Sequence, residues 1–189
     1  RSRNYGLFLV YVWNVWYYYW HNDICFLGYL LMIISIDVTE DMLQQAAKKG
    51  AQMQFLSGSI TNGTSNVLGS LGEVIVQKHL DASPSNTFDY DIVHKGRRID
   101  VKTKRCDSEP LPYYDCSVAA HGSSQDCDEY VFVRVLHNMK RAWILGSIPK
   151  SEFYEKATRY KRGDVDPSNN YTFRADCYNI PISKLKDVA

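Results

Sequence analysis

The stretch FDYDIVHKGRRIDVKTK, residues 88–104, sets Asp91 and Asp100 on either side of Lys95-Gly96, with Lys102 two residues beyond Asp100. Apolar β-formers alternate with polar residues around that dipeptide, the pattern of a β-hairpin. A two-residue turn makes the numbers of paired positions sum to 191, so Asp91 faces Asp100 and Asp89 faces Lys102. A four-residue loop keeps this register, whereas a three-residue loop with a bulge shifts it by one. Along the second strand Asp100, Lys102 and Lys104 point one way and Ile99, Val101 and Thr103 the other. Tyr90 and Ile92 oppose Asp89 and Asp91 in the first. One face is therefore apolar, and the other brings two acids to contact distance beside a lysine.

Like charges opposite one another destabilise a sheet. Two facing carboxylates either share a proton or bind a cation. Asp91, Asp100 and a strand carbonyl are oxygen donors suited to a hard ion such as Mg²⁺ or Mn²⁺. Lys102 can hold water against a phosphate and offset charge as it develops in a transition state.

The elements that must position these groups are well punctuated from residue 38 onward. Thr39 caps a helix over about 40–56, with Met42, Leu43, Ala46, Ala47 and Ala51 as its apolar stripe. Turn chemistry fills 57–66, and a second helix is predicted over 67–81, capped by Asn66 or Ser65. Projected at about 100° per residue, Val67, Leu68, Leu71, Val74 and Ile75 share a face. Glu73 points nearly opposite, among Gly69, Val76 and Leu80, on a surface suited to close packing or to an ordinary boundary glutamate. The hairpin spans 87–104, and 105–128 is a long irregular stretch with a short helix near 117–121. Residues 129–136 and 141–148 read as paired strands, Pro149 opens a helix over 150–160, and 171–180 holds a last strand or two short ones. Helix, helix, hairpin, loop, hairpin, helix, strand is the order of an α/β or α+β domain around one mixed sheet.

At 189 residues the chain suits one domain, and its net charge of +1 gives no bulk reason to expect a nucleic-acid partner. The distribution differs: Lys95, Arg97, Arg98, Lys102, Lys104 and Arg105 crowd residues 94–105 against Asp100 alone, a patch suited to a phosphate-rich ligand or to a solvated strand face. Five cysteines, odd in number and without a CxxC pair, argue against a disulfide framework and a regular zinc module, and imply reduced thiols in the cytoplasm. Residues 1–36 do not match the rest. Residues 5–36 hold three of the four tryptophans and six of the fourteen tyrosines, yet Asn14 and His21-Asn22-Asp23 break the run into pieces too short to span a bilayer. A membrane anchor, a packed sheet or helix, and sequence foreign to the domain compete here. The abrupt change of composition favours the last, with membrane association disfavoured and residues 38–189 forming the domain proper.

Asp91, then eight residues, then Asp100-Val101-Lys102, with Glu73 on the preceding helix, resembles the PD-(D/E)XK nuclease superfamily, most closely the phage-type and Holliday-junction-resolvase-like endonucleases. The resemblance covers roughly 66–160, and CDEYVFVRVL followed by AWILGSIPKSEFYEKA looks like the strand–strand–helix half of such enzymes. It implies a mixed sheet flanked by helices, with a restriction-endonuclease-like αβββαβ core, and Mg²⁺- or Mn²⁺-dependent hydrolysis of DNA phosphodiesters by in-line attack of water. By the same resemblance Asp91, Asp100 and the Val101 carbonyl bind the metal, Lys102 positions the attacking water, and Glu73 completes the site. A homodimer and a host-cytoplasm location, if phage-encoded, are expectations of the family alone. Tyr90 stands where the family more often has Pro, and no Gln-x-x-x-Tyr helix motif follows the core strands.

Arg97 and Arg98 at the hairpin tip, with Lys104 and Arg105, are candidates for phosphate contacts, with a solvated tip as the alternative. Tyr113 and Tyr114 could stack on unpaired bases or pack their own loop. His121 is a candidate auxiliary residue. The rival function is a non-catalytic nucleic-acid-binding module that uses the basic 94–105 hairpin.

Overall fold

A computed structural model describes residues 8–12, 15–20, 23–29, 33–53, 64–85, 87–167 and 169–188. The chain divides into two units, residues 1–32 and 33–189. In the first, β1 (Phe8–Val12), β2 (Val15–Trp20) and β3 (Asp23–Tyr29) form an antiparallel sheet in that order. Among the described residues no helix is long and apolar enough to cross a membrane.

The second unit runs β4 (Ile34–Asp37), α1 (Glu40–Met53), α2 (Thr64–Leu80), β5 (Ser83–Pro84), β6 (Ile92–His94) and β7 (Arg97–Cys106). It continues through β8 (Asp115–Ala119), a 3-10 helix at Ala120–Ser124, β9 (Glu129–Leu136), β10 (Arg141–Pro149), α3 (Lys150–Lys156), β11 (Thr158–Tyr160) and β12 (Cys177–Pro181). It is a mixed α+β domain. Its main sheet has the order β4-β10-β9-β7-β6-β5, in which β7 and β9 are parallel and every other pair antiparallel. A smaller sheet, β11-β12-β8, is antiparallel. Residues 34–36, grouped with the N-terminal segment by composition, belong to β4 and pair with β10.

Thr39 caps α1 as expected, its hydroxyl accepting the Met42 N–H at 3.3 Å. The helix runs at least to Met53; residues 54–63, with the rest of the predicted helix and most of the predicted turn, lie outside the described residues. The second helix starts earlier than predicted, at Thr64, so Ser65 and Asn66 lie inside it. Ser70–Val76 are buried all round, because α1 covers one side of α2 and the sheet covers the other. Leu71, Ile75 and Val76 meet Ile99, Val101, Val131, Val133 and Ile144 in the core. Contact is closest at Gly72, where an added methyl would lie 1.9 Å from Thr103 Oγ1. That approach draws the helix, and Glu73 beside it, onto β7.

The opposite face of β7 and β9 carries Asp100, Lys102 and Lys104 beside Tyr130, Phe132 and Arg134, their parallel-strand partners. Tyr130, Phe132 and Phe153 pack there at ring separations of 5.3–6.3 Å, and Tyr154 stands edge-on to Tyr178 at 4.9 Å.

Four predicted elements are corrected. The first hairpin strand begins at Ile92 rather than 87, because Thr87 Oγ1 closes a local turn on the backbone of Tyr90. Residues 115–119 form a strand, with helical turn only from Ala120, since Cys116 and Val118 alternate inward while the backbone pairs with β12. The predicted 150–160 helix stops at Lys156, and Thr158–Tyr160 pair with Cys177–Asn179. The regular strand in 171–180 is confined to residues from Cys177 onward.

Candidate active site

The hairpin has the predicted register: Ile92, Val93 and His94 pair with Ile99, Arg98 and Arg97, so each pair of numbers sums to 191. Lys95 and Gly96 have φ of 49° and 78°, the two left-handed residues of a type I′ turn; glycine adopts the second without strain. Ahead of Ile92 the chain leaves regular pairing. The Asp91 N–H donates to the Ile99 carbonyl at 2.9 Å, and its carboxylate accepts the Val101 N–H at 2.7 Å. A side chain thus replaces the backbone acceptor that a longer strand would offer. The N–H and C=O of a strand residue point the same way, so the Val101 carbonyl faces the edge that Asp91 occupies.

Asp100 is 4 % exposed, and its Oδ2 lies 2.5 Å from Lys102 Nζ. Glu73, also buried, projects from α2 with Oε2 2.5 Å from Lys49 Nζ of α1. Both oxygens are buried and neither is aligned for a hydrogen bond, so these contacts are electrostatic. Asp91 lies within reach of the charges of both acids. Burial, then the negative charges of Glu73 and Asp100, push its pKa well above the ordinary carboxylate value, with the Val101 N–H opposing. The sequence-predicted quartet of Glu73, Asp91, Asp100 and Lys102 is thereby brought into one electrostatic neighbourhood, in which Glu73 faces Lys49, Asp100 faces Lys102, and Asp91 meets the Val101 N–H and the Asp100 side chain. Among the described residues no three His, Cys, Asp or Glu side chains form a ready metal-binding group, and that includes Cys106, Cys116 and Cys127 with His121.

Gln125 completes the surroundings of Lys102 and was not singled out by sequence. Its Oε1 accepts the lysine ammonium at 2.9 Å, its Nε2 donates to the Phe88 carbonyl at 3.0 Å, and its own carbonyl accepts Lys150 Nζ. The ammonium also lies 5.7 Å from the Tyr130 ring centroid. The Tyr130 hydroxyl lies 3.1 Å from that of Tyr154 and donates to the Gly122 carbonyl at 3.3 Å. Burial, then Tyr154, raise the Tyr130 pKa, so its phenol stays neutral. Cys127 is buried close by, its thiol pushed up to about 11 by burial and then by Asp100. No spacing rule links Gln125 to Lys102; the alternation of Glu129–Leu136 is the one signal that could have placed Tyr130 on the face of Asp100.

The remaining candidates are placed differently. Asp89 does not face Lys102; its carboxylate accepts the Asp126 N–H at 3.2 Å. Arg98 binds both oxygens of Asp128, at 2.8 and 3.1 Å, and also Asp126, while Arg97 pairs with Glu129 at 3.3 Å. Those acids lie 28–32 residues downstream, so the tip that reads as a basic patch is largely neutralised in the fold. Arg105 is exposed, and Lys104 extends along the face beyond Lys102. Tyr113 is exposed and edge-on to Tyr114 at 5.0 Å, and His121 is exposed in its 3-10 helix.

The fold and this centre define an α+β domain with acids and a lysine gathered at the hairpin. No protein-family model matches the chain, and no curated protein matches it.

Proposed function

We propose that the chain is a metal-dependent endonuclease that hydrolyses DNA phosphodiester bonds at the Asp91–Asp100–Lys102 centre. The observation that carries this reading is the crowding of Glu73 and Asp100 on Asp91, with Lys102 held beside them. Two buried carboxylates and a half-buried third, with Lys49 and Lys102 as counter-charges, are costly, and a divalent cation offsets that cost. The donor set fits a hard cation: the donors are carboxylate oxygens, and the one nearby thiol stays protonated. Asp91, Asp100, Glu73 and the Val101 carbonyl would hold Mg²⁺ or Mn²⁺, which supplies Lewis-acid stabilisation of the phosphate under attack.

The chain's own residues do the rest. Lys102, drawn to Asp100 and restrained by Gln125, presents its ammonium where charge develops on the phosphate oxygens. Without the cation, Asp91 retains a proton to higher pH than an ordinary aspartate, which relieves the repulsion of its neighbours. The Tyr130 ring and its hydroxyl network close one side of the lysine and limit access of bulk water.

The test incubates the protein with supercoiled, linear and branched DNA, in Mg²⁺ and in EDTA. Cleavage in Mg²⁺ that is lost in EDTA, in Lys102→Met and in Asp100→Asn is the expected result. Salt-sensitive binding with no metal-dependent product would assign the chain to non-catalytic nucleic-acid binding instead.

A further inference from the structure

Beyond the acids, the same face of the sheet holds a second unbalanced group of charges. Lys104 and Arg134 are register partners on the parallel strands β7 and β9, so two cations stand side by side on one face. Like charges so placed repel, as the acids do. Arg134 is 8 % exposed, and it donates to backbone carbonyls, that of Asp115 at 2.6 Å and that of Arg105 at 3.5 Å. Among the described residues neither cation has an ion-pair partner. The carboxylate of Asp115 acts on both as a counter-charge, and it accepts from Asn179 Nδ2 at 3.3 Å. Lys104 reaches solvent, while partial desolvation and then the charge of Arg134 lower its pKa.

These two cations line a pocket of about 140 Å³ between β7, β9 and the overlying β8. Lys102, Cys116 and Ser117 contribute to the wall, which contains no carboxylate and three cations, of which Lys102 is already paired with Asp100. The Cys116 thiol is pushed up to about 12, chiefly by burial, and so adds no negative charge. The volume is several times that of a water molecule and too small for a nucleoside. Arg134 offers the N–H groups that its two backbone carbonyls leave free, Lys104 a point charge and Ser117 a hydroxyl, a set of donors that matches a tetrahedral oxyanion.

We propose that this pocket binds a phosphate group, held by Lys104 and Arg134 with Ser117. Its ligand is either free inorganic phosphate or the terminal phosphate of a nucleic-acid strand, which share this chemistry. The site is independent of whether the neighbouring acids support cleavage.

The test titrates the full chain with inorganic phosphate by calorimetry, in EDTA and at fixed ionic strength. Saturable one-to-one binding is expected. Lys104→Met should weaken it roughly tenfold or more through loss of one charge-assisted hydrogen bond, and Arg105→Met, at a residue outside the pocket wall, by less than about twofold. Arg134→Met should abolish binding; because its side chain is buried, circular dichroism checks its fold, and Lys104→Met decides the matter if that fold is lost. Displacement of phosphate by a 5′-phosphorylated oligonucleotide, but not by its 5′-hydroxyl counterpart, would assign the pocket to strand ends. Saturable binding that neither oligonucleotide displaces would assign it to the free anion. Absence of saturable binding, or equal weakening by Lys104→Met and Arg105→Met, would overturn the proposal.

Discussion

Gly72→Ala is expected to destabilise the domain and to move Glu73 away from the other acids. An alanine methyl would lie 1.9 Å from Thr103 Oγ1 and 3.0 Å from both Cβ and Cγ2 of that residue, whereas ordinary contact begins at 3.4 Å. The helix and strand must separate by about 1.5 Å at this point, or the threonine must turn within a packed core. Overpacking of this kind costs about 3 kcal/mol, and the better helix propensity of alanine returns about 1 kcal/mol, so the net loss is about 2 kcal/mol. Urea denaturation followed by circular dichroism measures it, with an unchanged m-value as evidence that the change is one of stability. Thr103 Oγ1 is buried without a hydrogen-bond partner, so truncating it removes the closest contact, leaving Cβ at 3.0 Å, without breaking a bond. Gly72→Ala/Thr103→Ala should therefore be more stable than Gly72→Ala alone, a coupling that a double-mutant cycle reads directly. A Gly72→Ala protein as stable as wild type, or a double variant no better than the single, would refute the close-packing argument.

Three further outcomes are expected. Asp91 has a folded-state pKa above its unfolded one, so its contribution is fully present below the ordinary carboxylate pKa and is lost as pH rises through the raised value; Asp91→Asn should be at least as thermally stable as wild type at neutral pH in EDTA, with a flatter dependence on pH. Lys49→Met leaves the buried Glu73 carboxylate without its ion partner and should cost about 3 kcal/mol in urea unfolding, most of it recovered by adding Glu73→Gln. Asp128, lowered to about 2 chiefly by Arg98, contributes stability that is present above the ordinary carboxylate pKa and is lost as pH falls toward 2; melting curves of wild type and Asp128→Asn should converge across that interval, and the gap should narrow in high salt because the pair is partly exposed.

Local grammar made part of this structure legible. Lys95-Gly96 between alternating strands specified both the turn and its register, and the apolar runs before and after His137–Lys140 specified β9 and β10. That Asp91, Asp100 and Lys102 lie near one another was legible because all three sit on one hairpin, while Glu73 reaches them through its charge from α2. What the sequence withheld is long-range. The acids that neutralise Arg98, the carboxamide beside Lys102 and the parallel pairing of β7 with β9 depend on where a distant segment lands, and no periodicity encodes that. In the smaller sheet β8 and β11 escaped notice because they are five and three residues long, too short for alternation to stand out from loop composition, whereas β12 overlaps the strand expected over 171–180. Asp89 was misplaced for the opposite reason: alternation was extended past the point where a threonine turn ends it.

The parallel pairing of β7 and β9 also imposes an order in time. Parallel neighbours cannot be joined by a tight turn, so the chain leaving Cys106 must travel back along the sheet before Glu129 can enter it. Gln125 arrives near the end of that return leg, just before re-entry. A polypeptide emerging from the ribosome and halted near residue 110 would already carry every acid of the centre and would still lack the group that aims its lysine.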